Sequence, residues 1–411
     1  MITILGKTHL TSRNPAKGSH IRELSWLVPF ACIGLMALSL LRPPPEFSAP
    51  AQGRIVVDAG GVPVHIALPF KGTVLTWGGL VREYLHDTRA PETLLNAGGA
   101  DLREFLKEVI GWIYPRLAKR ESVWDAGVAG SYGRAANSEV EGLMALDAGA
   151  YLGMKGINNS PVSLLRRIGL PTLHSITHPR SEDERFFTQA RVETAVIGHP
   201  ERGEELIANY CRAFAELERE LQPTTLTMRP RVLLFGGSAR DWRVLYVRDH
   251  HHSHQIYVIR AGLENAAAYE YEARQPDAER ILAMEPDFIF LMERSRDPET
   301  VQEFMRDPRW RGLRAVQERR VYRMPGTSSA DLAIMQYRPL WTRWMAEIGH
   351  PERMRPRLRQ MLRESFVREF GYRLTDDQID VLLRINENKG SVGYERFTRN
   401  YQASKEKDPA R

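Results

Sequence analysis

Two stretches 138 residues apart follow one pattern. Glu141-Gly-Leu-Met-Ala-Leu-Asp-Ala-Gly-Ala-Tyr-Leu152 aligns without a gap on Glu279-Arg-Ile-Leu-Ala-Met-Glu-Pro-Asp-Phe-Ile-Phe290. In each, a glutamate opens a helical run, three or four apolar residues follow, an acidic turn comes next, and an apolar strand completes the unit. A helix–strand unit has to join a sheet to bury its apolar side. Two matched units therefore point to two similar α/β lobes. A glutamate in a helix's first turn also offsets the helix dipole, which by itself accounts for either carboxylate. Their matched placement is what raises a functional reading.

The surrounding sequence supports two lobes. Arg54–Ala59 and Val62–Ile66 flank Gly60-Gly61 and read as a hairpin. Thr73–Trp77 reads as a strand, followed by the helix around Glu139–Leu146, the strand Ala150–Met154, the helix Pro161–Ile168 and the strand Thr172–Ile176. A second series starts at Arg231 and runs through the strand Ile256–Ile259, the helix Glu279–Met284, the strands Phe288–Met292 and Arg320–Met324, and a closing helix over Asp331–Ile348. Such alternation belongs to mostly parallel sheets covered by helices. Between the series, Leu206, Ile207, Tyr210, Cys211, Phe214, Leu217 and Leu221 share one helical face, bounded by Pro200 and Pro223. About twenty residues span roughly 30 Å, enough for one rigid helix to connect two lobes. Cys211, placed on that face, is expected to be buried and inert. With only Cys32 besides, neither a disulfide scaffold nor a four-thiolate zinc site is possible.

The amino end reads as an export signal. Lys7, Arg13, Lys17 and Arg22 precede an apolar run from Leu24 to Leu41, followed by Pro43-Pro44-Pro45 and Ala49-Pro50-Ala51. Basic, apolar and small-residue zones in this order direct secretion, with cleavage before Gln52. An uncharged, mainly apolar run of eighteen residues also suffices for an uncleaved membrane anchor. Either way the body, 52–349, is expected outside the cytoplasm. It holds 38 basic and 39 acidic residues, so the net charge of +6 sits at the two ends. Nucleic-acid binding needs a concentrated basic stripe and is not expected.

In this order the motifs resemble a known family, the periplasmic substrate-binding proteins of ABC importers for iron–siderophores, haem, cobalamin and related metal chelates. The resemblance covers about residues 54–350. It rests on Arg54-Ile-Val-Val-Asp-Ala, Leu164-Leu-Arg-Arg-Ile-Gly-Leu-Pro171, Arg229-Pro-Arg-Val-Leu-Leu234, Ala261-Gly-Leu-Glu-Asn265, Glu279–Asp287 and Asp307–Val316 leading to Arg320-Val-Tyr322. It implies an α/β fold of two Rossmann-like lobes joined by one long connecting helix, the class III arrangement. The corresponding segments are a signal peptide or anchor at 1–51, lobes at 52–200 and 223–350, the inter-lobe helix at 201–222, and a helical C-terminal extension at 351–411. The extension reads as helices at Arg353–Phe370, Thr375–Asn386 and Gly393–Tyr401, with Phe366, Phe370, Tyr372 and Leu374 packing on the second lobe. The family also implies that Glu141 and Glu279 dock onto basic residues of an inner-membrane permease. The first-lobe turn, Asp147-Ala-Gly, departs from the family's usual proline and aspartate.

A cleft for flat, partly aromatic, anionic chelates needs aromatic faces and a few cations. Candidates in loops after strands are Trp77, Tyr132 and Arg134 on the first lobe, and Trp242, Arg243 and Tyr246 on the second, with Arg338 near the closing helix. A lone Trp or Tyr is more often core than ligand platform. His250, His251, His252 and His254 lie within six residues beside Asp249. Such a run can capture a divalent metal or offer haem an axial ligand, and equally can be a solvated loop. A zinc hydrolase would need further ligands such as His174 or His178. Nucleophile elbow, P-loop and dinucleotide fingerprints are absent. The expectation is a non-enzymatic, monomeric solute-binding protein with no intrinsic cofactor. Its transported ligand would be a metal chelate, a ferric siderophore first. Nickel or cobalt chelates, haem and cobalamin are alternatives, and a metal-dependent periplasmic enzyme built on the histidine run is the reading of another class.

Overall fold

A computed structural model describes residues 52–401, apart from 77–79, 98–108, 125–136, 155–161, 177–180, 222–228, 238–242, 245–252, 268–277, 294–298 and 327–337. The expected signal or anchor, 1–51, lies outside the described residues. Among those described, no helix is long and apolar enough to cross a membrane.

The described part opens with an antiparallel hairpin of β1 (Gly53–Val57) and β2 (Pro63–Ala67). Its turn is built by Asp58, whose carboxylate accepts from the amides of Gly60 (2.8 Å) and Val62 (2.9 Å). Gly61 supplies the positive φ of 78° that the turn demands. Asp58 also receives Arg166 and the His174 amide, at 3.1 Å for the latter. Burial pushes its pKa up, but these donors, His174 foremost, outweigh burial and hold it well below the usual carboxylate range.

The first lobe's sheet contains β3 (Thr73–Leu75), β4 (Leu94–Ala97), β5 (Ala150–Met154) and β6 (Thr172–Ile176), all parallel, in the order β4-β3-β5-β6. Helices α1 (Val81–Thr88), α2 (Asn137–Ala145), α3 (Val162–Arg167) and α4 (Glu182–Ile197) belong to this half. Ser181 caps α4 by accepting the Glu184 amide, and Gly198 ends it in the left-handed region. The connector α5 (Pro200–Leu221) follows as one unbroken 22-residue helix. It buries Leu206, Ile207, Tyr210, Phe214, Leu217 and Leu221.

The second lobe has its own sheet: β7 (Arg231–Gly237), β8 (Arg243–Val244), β9 (Glu264–Asn265), β10 (Phe288–Glu293) and β11 (Val321–Arg323). β10 lies between β7 and β11, parallel to both. The other edge of β7 pairs with β9 in parallel and with the short β8 antiparallel. With β8 set aside, each lobe has the same strand order: second, first, third, fourth. No strand pairing joins the two sheets among the described residues. Helices α6 (Ser253–Arg260), α7 (Ala278–Ala283), α8 (Thr300–Arg306) and α9 (Arg338–Gly349) belong to this half, and α10 (Leu358–Phe370) and α11 (Asp376–Leu382) to the extension.

Three local expectations are corrected. Ile256–Ile259 is not a strand but part of α6. Tyr257, Val258 and Ala261 are buried there, so helical packing overrides the β-branched run. Cys211 is exposed. The buried stripe passes through Tyr210 and Phe214, and its neighbour in sequence is rotated about 100° away from it. The extension does not pack on the second lobe alone. Phe370 sets its ring edge-on to His86 (5.5 Å) and Tyr114 (6.5 Å) of the first lobe. Arg89 and Arg202 both donate to the Glu369 carbonyl. Its far end is fastened to the second lobe, where Trp344 Nε1 donates to Tyr394 (3.1 Å) and Asn388 exchanges hydrogen bonds with the Arg323 backbone (2.7 and 2.9 Å). The extension thus grips both lobes.

Candidate functional site

In sheets of parallel strands, ligand sites form beyond the carboxyl ends of the strands. The candidate residues follow such ends in sequence. Trp77 comes two residues after β3, and Trp242 and Tyr246 come after β7 and β8. Trp77, Tyr132, Arg134, Trp242, Tyr246, His250, His251 and His252 lie outside the described residues. Arg243 is described only as the first backbone position of β8, and His254 only as the second of α6. Among the described residues, no group of three or more His, Cys, Asp or Glu could hold a metal ion. His174 sits in β6 with Nδ1 3.3 Å from Asp58, part of the hairpin anchorage.

Arg338 occupies a different setting from a ligand loop. It is 4% exposed. Its Nη1 donates to Glu182 (2.5 Å) and to the Tyr257 hydroxyl (2.6 Å). Burial opposes its charge, but Tyr257 and Glu182 outweigh that and raise its pKa further. Beside it Arg260 makes a bidentate pair with Asp183 (2.9 and 2.6 Å), and the Tyr210 hydroxyl donates to the same carboxylate (2.7 Å). The Arg260 guanidinium also lies 4.3 Å over the Phe214 ring. Glu182 and Asp183 open α4 in the first lobe; Tyr257, Arg260 and Arg338 belong to the second; Tyr210 and Phe214 come from the connector. This ionic and aromatic knot joins the lobes at the connector. Nothing in the one-dimensional pattern marks it, because the Glu182–Arg338 partners are 156 residues apart. Only the acidic start of α4 was visible as a signal, and helix capping explains that equally well.

Glu141 and Glu279 are both exposed. The expectation that each opens its helix holds for Glu279, the second residue of α7, and is corrected for Glu141, the fifth residue of α2. α2 starts earlier, at Asn137-Ser138, residue types favoured at helix starts. Measured to the strand, however, the two sites coincide. Each glutamate lies nine residues before the first residue of its lobe's third strand, β5 or β10. Six residues past each glutamate, Asp147 (φ 47°) and Glu285 (φ 43°) both turn the chain through the left-handed region. The sequence repeat is thus a structural repeat, placed at one topological position in each lobe.

Residues 139–327 match the family model for periplasmic binding proteins. The fold agrees over a longer span. A periplasmic solute-binding protein from Veillonella parvula superposes with a TM-score of 0.67 at 19% identity, covering 82% of this chain and 99% of that one. The molybdate-bound periplasmic binding protein MolA of Haemophilus influenzae gives 0.64 at 15% identity, with 78% and 99% covered. CeuE of Helicobacter pylori, in a complex with Ni-His, gives 0.59 at 15% identity, with 81% and 99% covered. No curated protein matches the chain in sequence. The chain shares its two-lobed α/β fold with these proteins.

Proposed function

We propose that this protein is the solute-binding component of an ABC importer, capturing a metal chelate, a ferric siderophore first, between its lobes and delivering it to an inner-membrane permease. Support comes chiefly from one observation: Glu141 and Glu279 stand exposed at the same topological position of two lobes with the same strand order. A surface that must meet a permease across both lobes needs such a matched pair of charges. Exposed carboxylates facing arginines speed encounter and fix register more than they add affinity. Trp77, Tyr132, Arg134, Trp242, Arg243 and Tyr246 form the proposed ligand surface. His250, His251, His252 and His254 are proposed as metal or axial ligands within it. Arg338, buried between Glu182 and Tyr257, takes the role of tying the lobes instead. Residues 1–51 are proposed to export the chain, as a cleaved signal or a retained anchor.

Protein purified from its own periplasm is expected to carry a chelate seen by native mass spectrometry and absorbance. Turnover of a substrate, with no bound chelate, would favour a metal-dependent enzyme. In the reconstituted transporter, the double variant Glu141→Lys/Glu279→Lys should keep ligand affinity and melting temperature while losing ligand-stimulated ATP hydrolysis and uptake. Normal uptake by that variant defeats the docking assignment.

A further inference from the structure

The connector α5 does not run between the lobes alone. α10 lies antiparallel beside it and is fastened at both ends. At the start of α10, Arg357 Nη1 donates to Glu216 of α5 at 3.0 Å and approaches Glu220 at 3.6 Å. The Arg357 amide donates to the Glu347 carboxylate of α9 (3.1 Å). Arg343 of α9 completes this joint with a bidentate pair to Glu220 (both bonds 2.9 Å) and a bond to Glu347 (2.8 Å). This end belongs to the second lobe.

The other end of α10 closes on the first lobe. Arg202, the third residue of α5, donates to the Glu369 carbonyl (3.2 Å) and to the His86 and Asp87 carbonyls (2.8 Å each). Arg89, the residue after α1, donates to the same Glu369 carbonyl. The C-termini of α1 and α10 therefore meet at two guanidinium groups, and cations stabilise helix C-termini. The Glu369 carboxylate also lies 3.6 Å from His86 Nε2, and the Phe370 ring stands edge-on to His86 and Tyr114.

The spacing of the anchors agrees along both helices. At 1.5 Å per residue, α5 rises about 21 Å from Arg202 to Glu216, and the stretch from Arg357 to Glu369 rises about 18 Å. Between the anchors a crevice of about 110 Å³ separates the helices, lined by Leu206, Tyr210 and Ala213 on one side and by Met361 and Ser365 on the other.

We propose that α10 is a second strut between the lobes, and that α5 and α10 together form a two-helix bracket that fixes how far the lobes open. A single helix joining two bodies lets them swing, because a few residues at its ends can absorb the backbone change. A second helix fastened to both bodies converts that swing into sliding of one helix along the other, which the bonds at both ends oppose. The Asp183–Arg260 pair meets the connector at one level, Tyr210 and Phe214, and can serve as a pivot. The two ends of the bracket hold the levels on either side of it. This role is independent of what the lobes bind.

The test is pulsed electron paramagnetic resonance on the ligand-free, full-length protein. Spin labels are placed by Arg167→Cys and Arg311→Cys, at exposed positions in the first and second lobes, in a Cys32→Ser/Cys211→Ser background. The parent is expected to give one narrow inter-lobe distance distribution. Arg89→Gly/Phe370→Ala, which frees the first-lobe end, should widen it at least twofold. Glycine keeps the left-handed backbone of position 89 (φ 51°), so the donor is lost without strain. Arg357→Ala should widen the distribution less, because Arg343 still holds Glu220. If the double variant does not fold, Arg89→Gly alone carries the same expectation with a smaller widening. A width unchanged in every variant that folds overturns the proposal, as does a parent distribution already as wide as that of the double variant.

Discussion

The two lobes share a strand order and a repeated helix–turn–strand unit, yet the side chains packed beside their sheets differ. In the first, α1 and α4 bury Glu83, Asp87 and Glu193 at 3%, 0% and 0% exposure. Gln189 donates to Glu193 at 2.9 Å, and Tyr84 spans Thr73 and Thr93 at 2.8 and 2.6 Å. Desolvation drives the Glu83 carboxyl up to about 7, even though Arg82 and Arg185 oppose the rise, and raises Glu193 well above its ordinary value. In the second lobe, Phe235 meets Phe304 at 5.0 Å, and Phe304 stacks on Trp310 at 5.8 Å. The difference teaches that strand order and turn geometry, not core composition, define the repeat. A helix can cover the same sheet with aromatic rings or with buried carboxyl and amide groups, provided that backbone pairing is kept.

Four substitutions sharpen or break this comparison. The largest effect is expected from Phe304→Ala, which opens a cavity between Phe235 and Trp310. It should cost about 3–5 kcal/mol of unfolding free energy, and a denaturant midpoint within error of the parent would show that the second lobe is not held by its aromatic stack. The corresponding change in the first lobe is Glu83→Gln, and its effect has a pH signature. A carboxyl with a pKa of about 7 in the fold and about 4.3 unfolded favours the fold in its neutral form. That contribution is complete below about pH 4 and is lost as pH rises through 7. The glutamine should therefore be near neutral at pH 4.5 and stabilising by about 2–3 kcal/mol at pH 8, measured by urea unfolding at both. A pH-independent effect would mean that Glu83 stays charged inside the lobe. The smallest effect tests the symmetry itself. Asp147→Gly and Glu285→Gly relieve a left-handed backbone at equivalent turns, and each should stabilise by about 0.5 kcal/mol. Opposite signs at the two positions would break the structural equivalence of the repeats.

Several elements were readable because their signals are local. The hairpin around Gly60-Gly61, the strands at 150–154 and 172–176, and the connector's apolar stripe all follow from spacing within a few residues. Ile256–Ile259 was misread because four β-branched or aromatic residues suit a buried helix face as well as a strand, and only packing against α9 chooses between them. Cys211 was misplaced for a subtler reason. One position on a helix is about 100°, enough to move a side chain from the stripe to solvent. The candidate site divides in the same manner. The matched placement of Glu141 and Glu279 was visible in the repeat. The ionic knot of Asp183, Glu182, Arg260 and Arg338, and the grip of Phe370 on His86, were not.

The sequence by itself determined the two-lobed α/β plan, the connector between the halves and the pairing of Glu141 with Glu279, because repeats and periodicities are written into neighbouring residues. The tertiary structure decided which charges face each other across the lobes and that the extension spans both. Those contacts join residues as far apart as Arg89 and Glu369, 280 positions along the chain. Pairings at such separation depend on where the whole fold brings the backbone, and no local pattern of charge or hydropathy encodes them.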